Sequence, residues 1–260
     1  MHVKELLSLK GKVILVTGGA GKYGRPIVEA LAEADGTVIT ASRNLEACQT
    51  LAEEFRQHGL DVHGLQVDQA DHSSVMNLKE ELKRTFGRLD VFVNNAVARP
   101  MKAFEAPLSE WDASMRVNAT GMFDILREMA DLIALGGGGS VINISSMMGM
   151  YGPDLSNYEG TNMGIPFPDY FFHKGGLITL TRYLARVLAD KHVRVNCISP
   201  GGLLSGEPPP ACFLKNYVSK VPVGRMAEHD DIKGLVVLLA SEASAYINGE
   251  NILMDGGMHA

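Results

Sequence analysis

Lys12-Val-Ile-Leu-Val-Thr17 runs straight into Gly18-Gly19-Ala20-Gly21-Lys22-Tyr23-Gly24, and Arg25–Glu33 follows with a helical pattern. A short apolar run ending in glycines reads as a buried strand entering a tight turn. Glycines let the backbone approach a pyrophosphate, whose charge meets the free amides at a helix N-terminus. A glycine-rich turn of purely structural origin is the bland alternative. The position of this one, after a strand and before a helix at the head of a βα series, favours a dinucleotide site.

Working outward, Thr37–Ala41, Val62–Val67, Leu89–Val93, Ser140–Ile144 and His192–Ile198 are further apolar runs of strand length. Between them, Leu45–His58, Ser73–Phe86, Ser109–Leu135 and Tyr170–Asp190 read as helices. Strands alternating with helices of this length indicate parallel βαβ units. The expected fold is α/β, a Rossmann-type doubly wound parallel sheet with helices on both faces. Residues 1–260 form a single domain in this reading, because the alternation continues through the flexible turn Gly136–Gly139. Two stretches break the rhythm: Tyr151–Asp169, rich in Gly, Pro and Asn, and Gly201–Val221, with Pro208, Pro209 and Pro210. Both follow expected strands, so they fall at the carboxyl edge of the sheet, where ligands bind in open α/β folds. They are expected to shape a substrate pocket.

Composition narrows the function. Apolar content of 46% and charged content of 21% are those of an ordinary globular protein. A net charge of -6 argues against a nucleic-acid surface. No apolar run reaches membrane-spanning length, and Met1 to Lys10 lacks the apolar core of a signal peptide. Cys48, Cys197 and Cys212 lack metal spacing, so reduced thiols in a cytoplasmic protein are expected, with no metal site.

The second strand of such folds ends with the residue that reads the adenosine ribose: an acid suits NAD, whereas Arg accommodates the 2′-phosphate of NADP. Here Thr40-Ala41-Ser42-Arg43-Asn44 has no acid, and Lys22 adds a second cation from the glycine turn. NADP(H) is therefore favoured over NAD(H), the alternative being that Arg43 is a solvated charge capping the next helix.

Tyr170 and Lys174 are four residues apart in Tyr-Phe-Phe-His-Lys. Positions i and i+4 share a helix face, so the ammonium can lie beside the phenol. A free Tyr titrates near ~10, and a nearby cation lowers that value by stabilising the phenolate. Such a Tyr can exchange a proton with an alcohol or carbonyl near neutral pH. The glycine turn, Asp68, Asn94-Asn95-Ala96, Asn118, Ser146, Tyr170-x-x-x-Lys174, Pro200-Gly201 and Asp255-Gly256-Gly257 occur in one order along the chain. In these residues nearly the whole chain resembles the short-chain dehydrogenase/reductase family, in its single-domain branch.

The resemblance implies a Rossmann-type fold and nicotinamide-dependent hydride transfer. It implies a cofactor site at Gly18, Gly21, Lys22, Tyr23, Gly24, Ser42, Arg43, Asp68, Asn94, Ala96, Pro200 and Gly201, with Tyr170 and Lys174 also touching the cofactor. Asp68 would contact the adenine edge, and Asn94 would support the cofactor backbone. Ser146 would polarise the carbonyl, and Tyr170 would be the general acid in reduction and base in oxidation. Lys174 would lower the Tyr pKa and bond the nicotinamide ribose. Asn118 would hold a water linking Lys174 to solvent; its alternative reading is a helix-kink residue.

Three departures from the family pattern are visible. Lys22 stands where the middle Gly usually stands, a spacing closer to the longer, sugar-nucleotide-handling branch. Val97 replaces the usual Gly after Asn-Asn-Ala. The Ser146-to-Tyr170 interval is longer than usual, and Tyr158 sits at the usual distance. Position 162 is Asn, however, so Tyr158 has no Lys partner and catalysis is assigned to Tyr170. The stretch Tyr158–Met163 resembles a segment of bacterial members linked to flagellin and surface-sugar modification.

The expected function is an NADP(H)-preferring oxidoreductase interconverting a secondary alcohol and a ketone. Arg99, Lys102, Lys215 and Lys220 are candidate receivers of an anionic group, or else solvated surface charge. A polar or phosphorylated sugar is the preferred substrate, with a 3-oxoacyl thioester or a polyol as the enzymatic alternative. A non-catalytic cofactor-sensing protein of the same fold is the alternative of a different class. No nucleic acid or membrane partner is expected. The family's habit implies a homodimer or homotetramer, and the apolar tail Ile247–Met258 fits either a subunit contact or the last core strand.

Overall fold

The computed structural model describes residues 1–260. The first apolar run is β1, Val13–Thr17, with all five residues buried. It is followed by α2, Gly24–Glu33, and preceded by a short helix α1, Val3–Leu7. The alternation continues through β2 (Thr37–Ser42), α3 (Leu45–Gln57), β3 (Val62–Gln66), α4 (His72–Phe86) and β4 (Val91–Asn94). Asn44 and Asp71 start α3 and α4 by accepting hydrogen bonds from Ala47 N and Ser73 N, each at 3.0 Å. Arg43 is thus not the cap of α3; its neighbour Asn44 does that work.

The long helical stretch after β4 is three pieces instead of one. α5 (Leu108–Met115) passes through a π-turn, Arg116–Gly121, into α6 (Met122–Leu135). Such a turn opens one wider loop of backbone in an otherwise regular helix and recurs at functional sites. After β5 (Gly139–Ile144) come short 3₁₀ turns at Met147–Gly149 and Leu155–Tyr158, then α7 (Pro168–Val187). β6 (Val193–Pro200), α8 (Ala211–Val218), α9 (Lys233–Ala240) and β7 (Asn251–Met254) complete the chain. One expectation changes here, and one open alternative is met. The second irregular stretch contains α8, because the three prolines precede the helix instead of interrupting it. The C-terminal apolar tail supplies β7, which pairs in parallel with β6 from Cys197↔Asn251 to Pro200↔Met254.

All seven strands are parallel, in the order β3-β2-β1-β4-β5-β6-β7. The strand alternation divides the core into two halves. Ile14, Val16, Val91, Val93, Ile142 and Ile144 face α2, α3 and α9. Leu15, Phe92 and Val141 face α4, α6 and α7 on the other side. Burying each such side chain contributes about 1.5–3 kcal/mol. A smaller cluster of Met147, Phe213, Tyr217, Val221 and Met226 packs α8 against the first 3₁₀ turn. No helix is long and apolar enough to cross a membrane.

Strand order reverses direction between β1 and β4, and there the crevice at the carboxyl edge opens. The ends of β1 through β6 converge on it.

Candidate active site

A cavity of about 990 Å³ occupies this crevice. Its wall includes Gly18, Gly21, Lys22, Tyr23, Ser42, Arg43, Asp68, Ala96, Pro200 and Gly201, together with Ser146, Tyr170 and Lys174. Three residues named from the sequence lie outside the wall: Gly24, Asn94 and Asn118.

Each of the three sits behind it. Gly24 is buried at the first turn of α2, and a Cβ there would be driven into the Gly18 carbonyl oxygen. Asn94 faces the sheet interior, where its Nδ2 donates to Asn143 Oδ1 at 3.0 Å. The next residue, Asn95, is on the cavity side and braces the glycine turn by donating to the carbonyls of Thr17 and Gly18, both at 3.0 Å. Successive strand residues point to opposite sides, so the second Asn holds the turn and the first holds the sheet. Asn118, in the π-turn, accepts from Ala98 N at 2.9 Å and donates to Ala98 O at 2.8 Å. Its side chain therefore anchors the loop after β4.

The glycine turn fits a dinucleotide phosphate. The N-terminus of α2 has no side-chain cap, and the amides of Lys22 and Tyr23 have no acceptor in the chain. The Tyr23 hydroxyl, raised in pKa by burial, donates to Gly201 O at 3.0 Å and ties the turn to the end of β6. Arg43 and Lys22 are exposed, and neither side chain has an ion-pair or hydrogen-bond partner. No carboxylate stands at the end of β2; the residues there are Ser42 and Arg43.

Tyr170 and Lys174 lie one turn apart on α7. The Lys174 ammonium is buried, donates to Ile144 O at 2.6 Å, and lies 5.6 Å from the Tyr170 ring centre. Burial pushes its pKa down, and it pairs with no carboxylate. Ser145 Oγ donates to the Lys174 carbonyl at 2.7 Å, fixing α7 against the end of β5. The 3₁₀ turn after Ser146 crosses α7 so closely that a Cβ on Gly149 would stand 2.6 Å from the Lys174 carbonyl carbon and oxygen. This contact places Ser146, whose Oγ accepts from Met148 N at 3.1 Å, beside the Tyr–Lys turn. The rival phenol, Tyr158, packs on Phe213 with ring centres 5.3 Å apart, and burial raises its pKa.

A buried network links the two sides of the site. Ser114 Oγ donates to Asp169 Oδ2 at 2.5 Å and accepts from Asn118 Nδ2 at 3.1 Å. It also meets His173 Nε2 at 2.9 Å. Burial holds the His173 pKa down, so the ring is neutral, and with the Ser proton given to Asp169 its Nε2 must be the donor. Asp169 and His173 flank Tyr170 and Lys174 on one helical turn, so Ser114 couples α5 and the π-turn to the Tyr–Lys turn of α7. The sequence reading missed this set, although the four-residue spacing of Asp169 and His173 was its signal.

The four candidate substrate cations separate. Arg99 lines the cavity, with its guanidinium carbon 4.8 Å from the Tyr170 ring centre and no ionic partner. Lys102 is exposed and donates to Arg99 O at 2.8 Å. Lys215 lines a smaller, separate pocket. Lys220 is consumed by Asp154 at 2.6 Å, Asn157 Oδ1 at 2.7 Å and Ser156 Oγ, clamping the 151–169 stretch to the chain just after α8.

Cys197 lies under Lys174 with its thiol pushed up to about 11, chiefly by burial. Cys48 is also buried and Cys212 is exposed. Titration of the native protein with a chromogenic disulfide at neutral pH should therefore report one reactive thiol, lost in Cys212→Ser, and three after unfolding. Fast reaction of a second native thiol would contradict the packing around Cys197 or Cys48.

A family model described as enoyl-(acyl carrier protein) reductase matches residues 23–259. A 3-oxoacyl-[acyl-carrier-protein] reductase of Aquifex aeolicus is 32% identical over 97% of this chain and 99% of its own length. A short-chain type dehydrogenase/reductase from Mycobacterium marinum superposes with a TM-score of 0.88 at 29% identity, covering 100% of both chains. A gluconate 5-dehydrogenase from Burkholderia cenocepacia, solved with NADP and tartrate, superposes at 0.86 with 28% identity, covering 99% of this chain and 98% of its own.

Proposed function

The chain belongs to the short-chain dehydrogenase/reductase family, and from that premise we propose that this oxidoreductase interconverts a secondary alcohol and a ketone with NADP(H). The observation that carries the reading is a buried ammonium, Lys174, without an acidic partner and beside the phenol of Tyr170. An unpaired cation in a site of low polarity favours whatever anion can form next to it, and the phenolate is the one at hand.

A bound nicotinamide supplies the hydride in reduction and accepts it in oxidation. Tyr170 gives its hydroxyl proton to the carbonyl oxygen, or takes the alcohol proton in the reverse direction. Lys174 stabilises the phenolate left behind. The Ser146 hydroxyl orients and polarises the same oxygen. Asn118 contributes through the loop it anchors at Ala98 and through Ser114. Asp68, Ser42 and Arg43 would hold the adenosine end, with Lys22 and Arg43 available to the 2′-phosphate. The turn from Gly18 to Gly24, braced by Asn95 and Tyr23, would hold the pyrophosphate.

Arg99 supports an anionic substrate. Its guanidinium over the Tyr170 ring has no competing acid, so a carboxylate or phosphate near the reacting carbon would find a partner there. A sugar acid or phosphorylated sugar meets this requirement. A 3-oxoacyl thioester is the second reading, favoured by the methionines Met147, Met148, Met163, Met226 and Met258 around the cavity.

Paired fluorescence titration with NADPH and NADH tests the cofactor. NADPH should bind at least about tenfold more tightly, and Arg43→Ala should remove most of that margin while changing NADH affinity little. Tighter binding of NADH would overturn the Arg43 reading.

A further inference from the structure

Beyond the catalytic turn, the cavity wall carries a second ordered polar group. Asp255 has a buried carboxylate: Oδ1 accepts from Gly257 N at 3.0 Å, and Oδ2 accepts from His259 N at 3.1 Å and His259 Nδ1 at 2.9 Å. The His259 ring also lies flat on Tyr151, with centres 3.9 Å apart and planes within 2°. An in-plane hydrogen bond at one edge and a stack on one face fix the imidazole in both rotation and tilt. Tyr151 and His259 line the same cavity as Ser146 and Tyr170.

The carboxylate also decides the tautomer. A neutral ring that donates Nδ1–H to Asp255 keeps its lone pair on Nε2. That nitrogen has no partner in the protein. The two backbone amides already hold the turn around Asp255, so the imidazole is not required to close it. Met258, next to it in sequence, and Met148 lie on the same wall, and a thioether has no proton to donate to that nitrogen. An acceptor held this firmly and left open to a cavity is suited to a donor that arrives with the ligand.

We propose that His259 Nε2 accepts a hydrogen bond from a substrate hydroxyl on a carbon other than the one oxidised or reduced, which makes the substrate polyhydroxylated. This inference rests on the alcohol–ketone reading above and deepens it. With Arg99 for an anionic end and His259 for a hydroxyl, the site fits a polyhydroxy acid better than an acyl thioester, whose chain brings no hydroxyl to this wall. Asp255 and Tyr151 act through His259 as positioning residues.

The test is a footprint on the wild-type protein saturated with NADP+. Diethyl pyrocarbonate acylates unprotonated imidazole, and peptide mass mapping reads each histidine separately. D-gluconate is the probe and hexanoate, an anion without hydroxyls, is the control. Gluconate should slow acylation of His259 about tenfold, while hexanoate and the exposed His58 and His72 show no such change. Equal rates with the two anions would overturn the proposal, as would a His259 that does not react at all. The footprint needs no turnover and is repeated on Tyr170→Phe, so a failure of the catalytic assignment leaves it intact, and a failed footprint leaves the catalytic assignment standing. As a second measurement, calorimetry with gluconate on the NADP+ complex compares His259→Phe, which keeps the stack, with His259→Gln, which restores an acceptor. Loss of about tenfold in affinity for the first and recovery in the second is expected; equal affinity of His259→Phe and wild type would also refute the proposal.

Discussion

Tyr170→Phe lowers kcat by about 10²–10⁴-fold and leaves NADPH affinity within about twofold of wild type. The substitution removes one oxygen and nothing else. Phenylalanine keeps the ring under the Arg99 guanidinium and beside the Lys174 ammonium. The lost hydroxyl has no hydrogen-bond partner in the protein, so the folded state forfeits no internal bond. What disappears is the group proposed to exchange the proton with the substrate oxygen. Steady-state rates over a panel of carbonyl substrates, with NADPH titration alongside, check both halves. Tyr158→Phe in the same assays is the control, since that phenol packs on Phe213 and has no Lys at position 162. A Tyr170→Phe enzyme of wild-type speed would sink the catalytic assignment, and a large loss in Tyr158→Phe would move it to the rival phenol.

Gly24→Ala is the second large effect. One methyl group must enter a space already filled by the Gly18 carbonyl oxygen and by the Gly19 Cα, 2.8 Å away. Both are backbone atoms of the turn, so neither can swing aside as a side chain would. The turn must open, which moves the amides of Lys22 and Tyr23 from the phosphate position. Overpacking of this kind costs about 1–3 kcal/mol in stability. NADPH affinity should fall by about a hundredfold or more, since several charge-assisted hydrogen bonds are misplaced together. Thermal unfolding and NADPH titration measure the two consequences. A variant that melts and binds as wild type does would show that Gly24 is not the close-approach residue of this turn.

The glycine turn and the Tyr–Lys pair were legible in the sequence because both depend on short-range order. A turn between a strand and a helix is a local event, and an i, i+4 pair shares a face of any helix containing it. The Asp169–His173 and Asp255–His259 pairs have the same spacing, yet their use was not legible. Their partners, Ser114 and Tyr151, lie far away in the chain and meet them only in the fold. Asn94 and Asn95 illustrate the same limit at one residue's distance. Which of two adjacent asparagines reaches the cavity depends on the pleat of β4, and the pleat is set by pairing with β1 and β5.

A parallel α/β sheet, a glycine turn at its head, a second strand ending without an acid, and a Tyr–Lys turn could all be read from the chain before folding. These follow from hydrophobic period, glycine placement and helical spacing, all of which act over a few residues. Folding is what sets Arg99 over the Tyr170 ring while Lys220 is spent on clamping the 151–169 stretch. It also decided that the C-terminal tail closes the sheet as β7, and that His259 meets the cavity with a free nitrogen. Charge and hydrogen-bonding capacity can be read from composition, but whether a group is spent or available depends on which distant atoms the fold brings within about 3 Å of it.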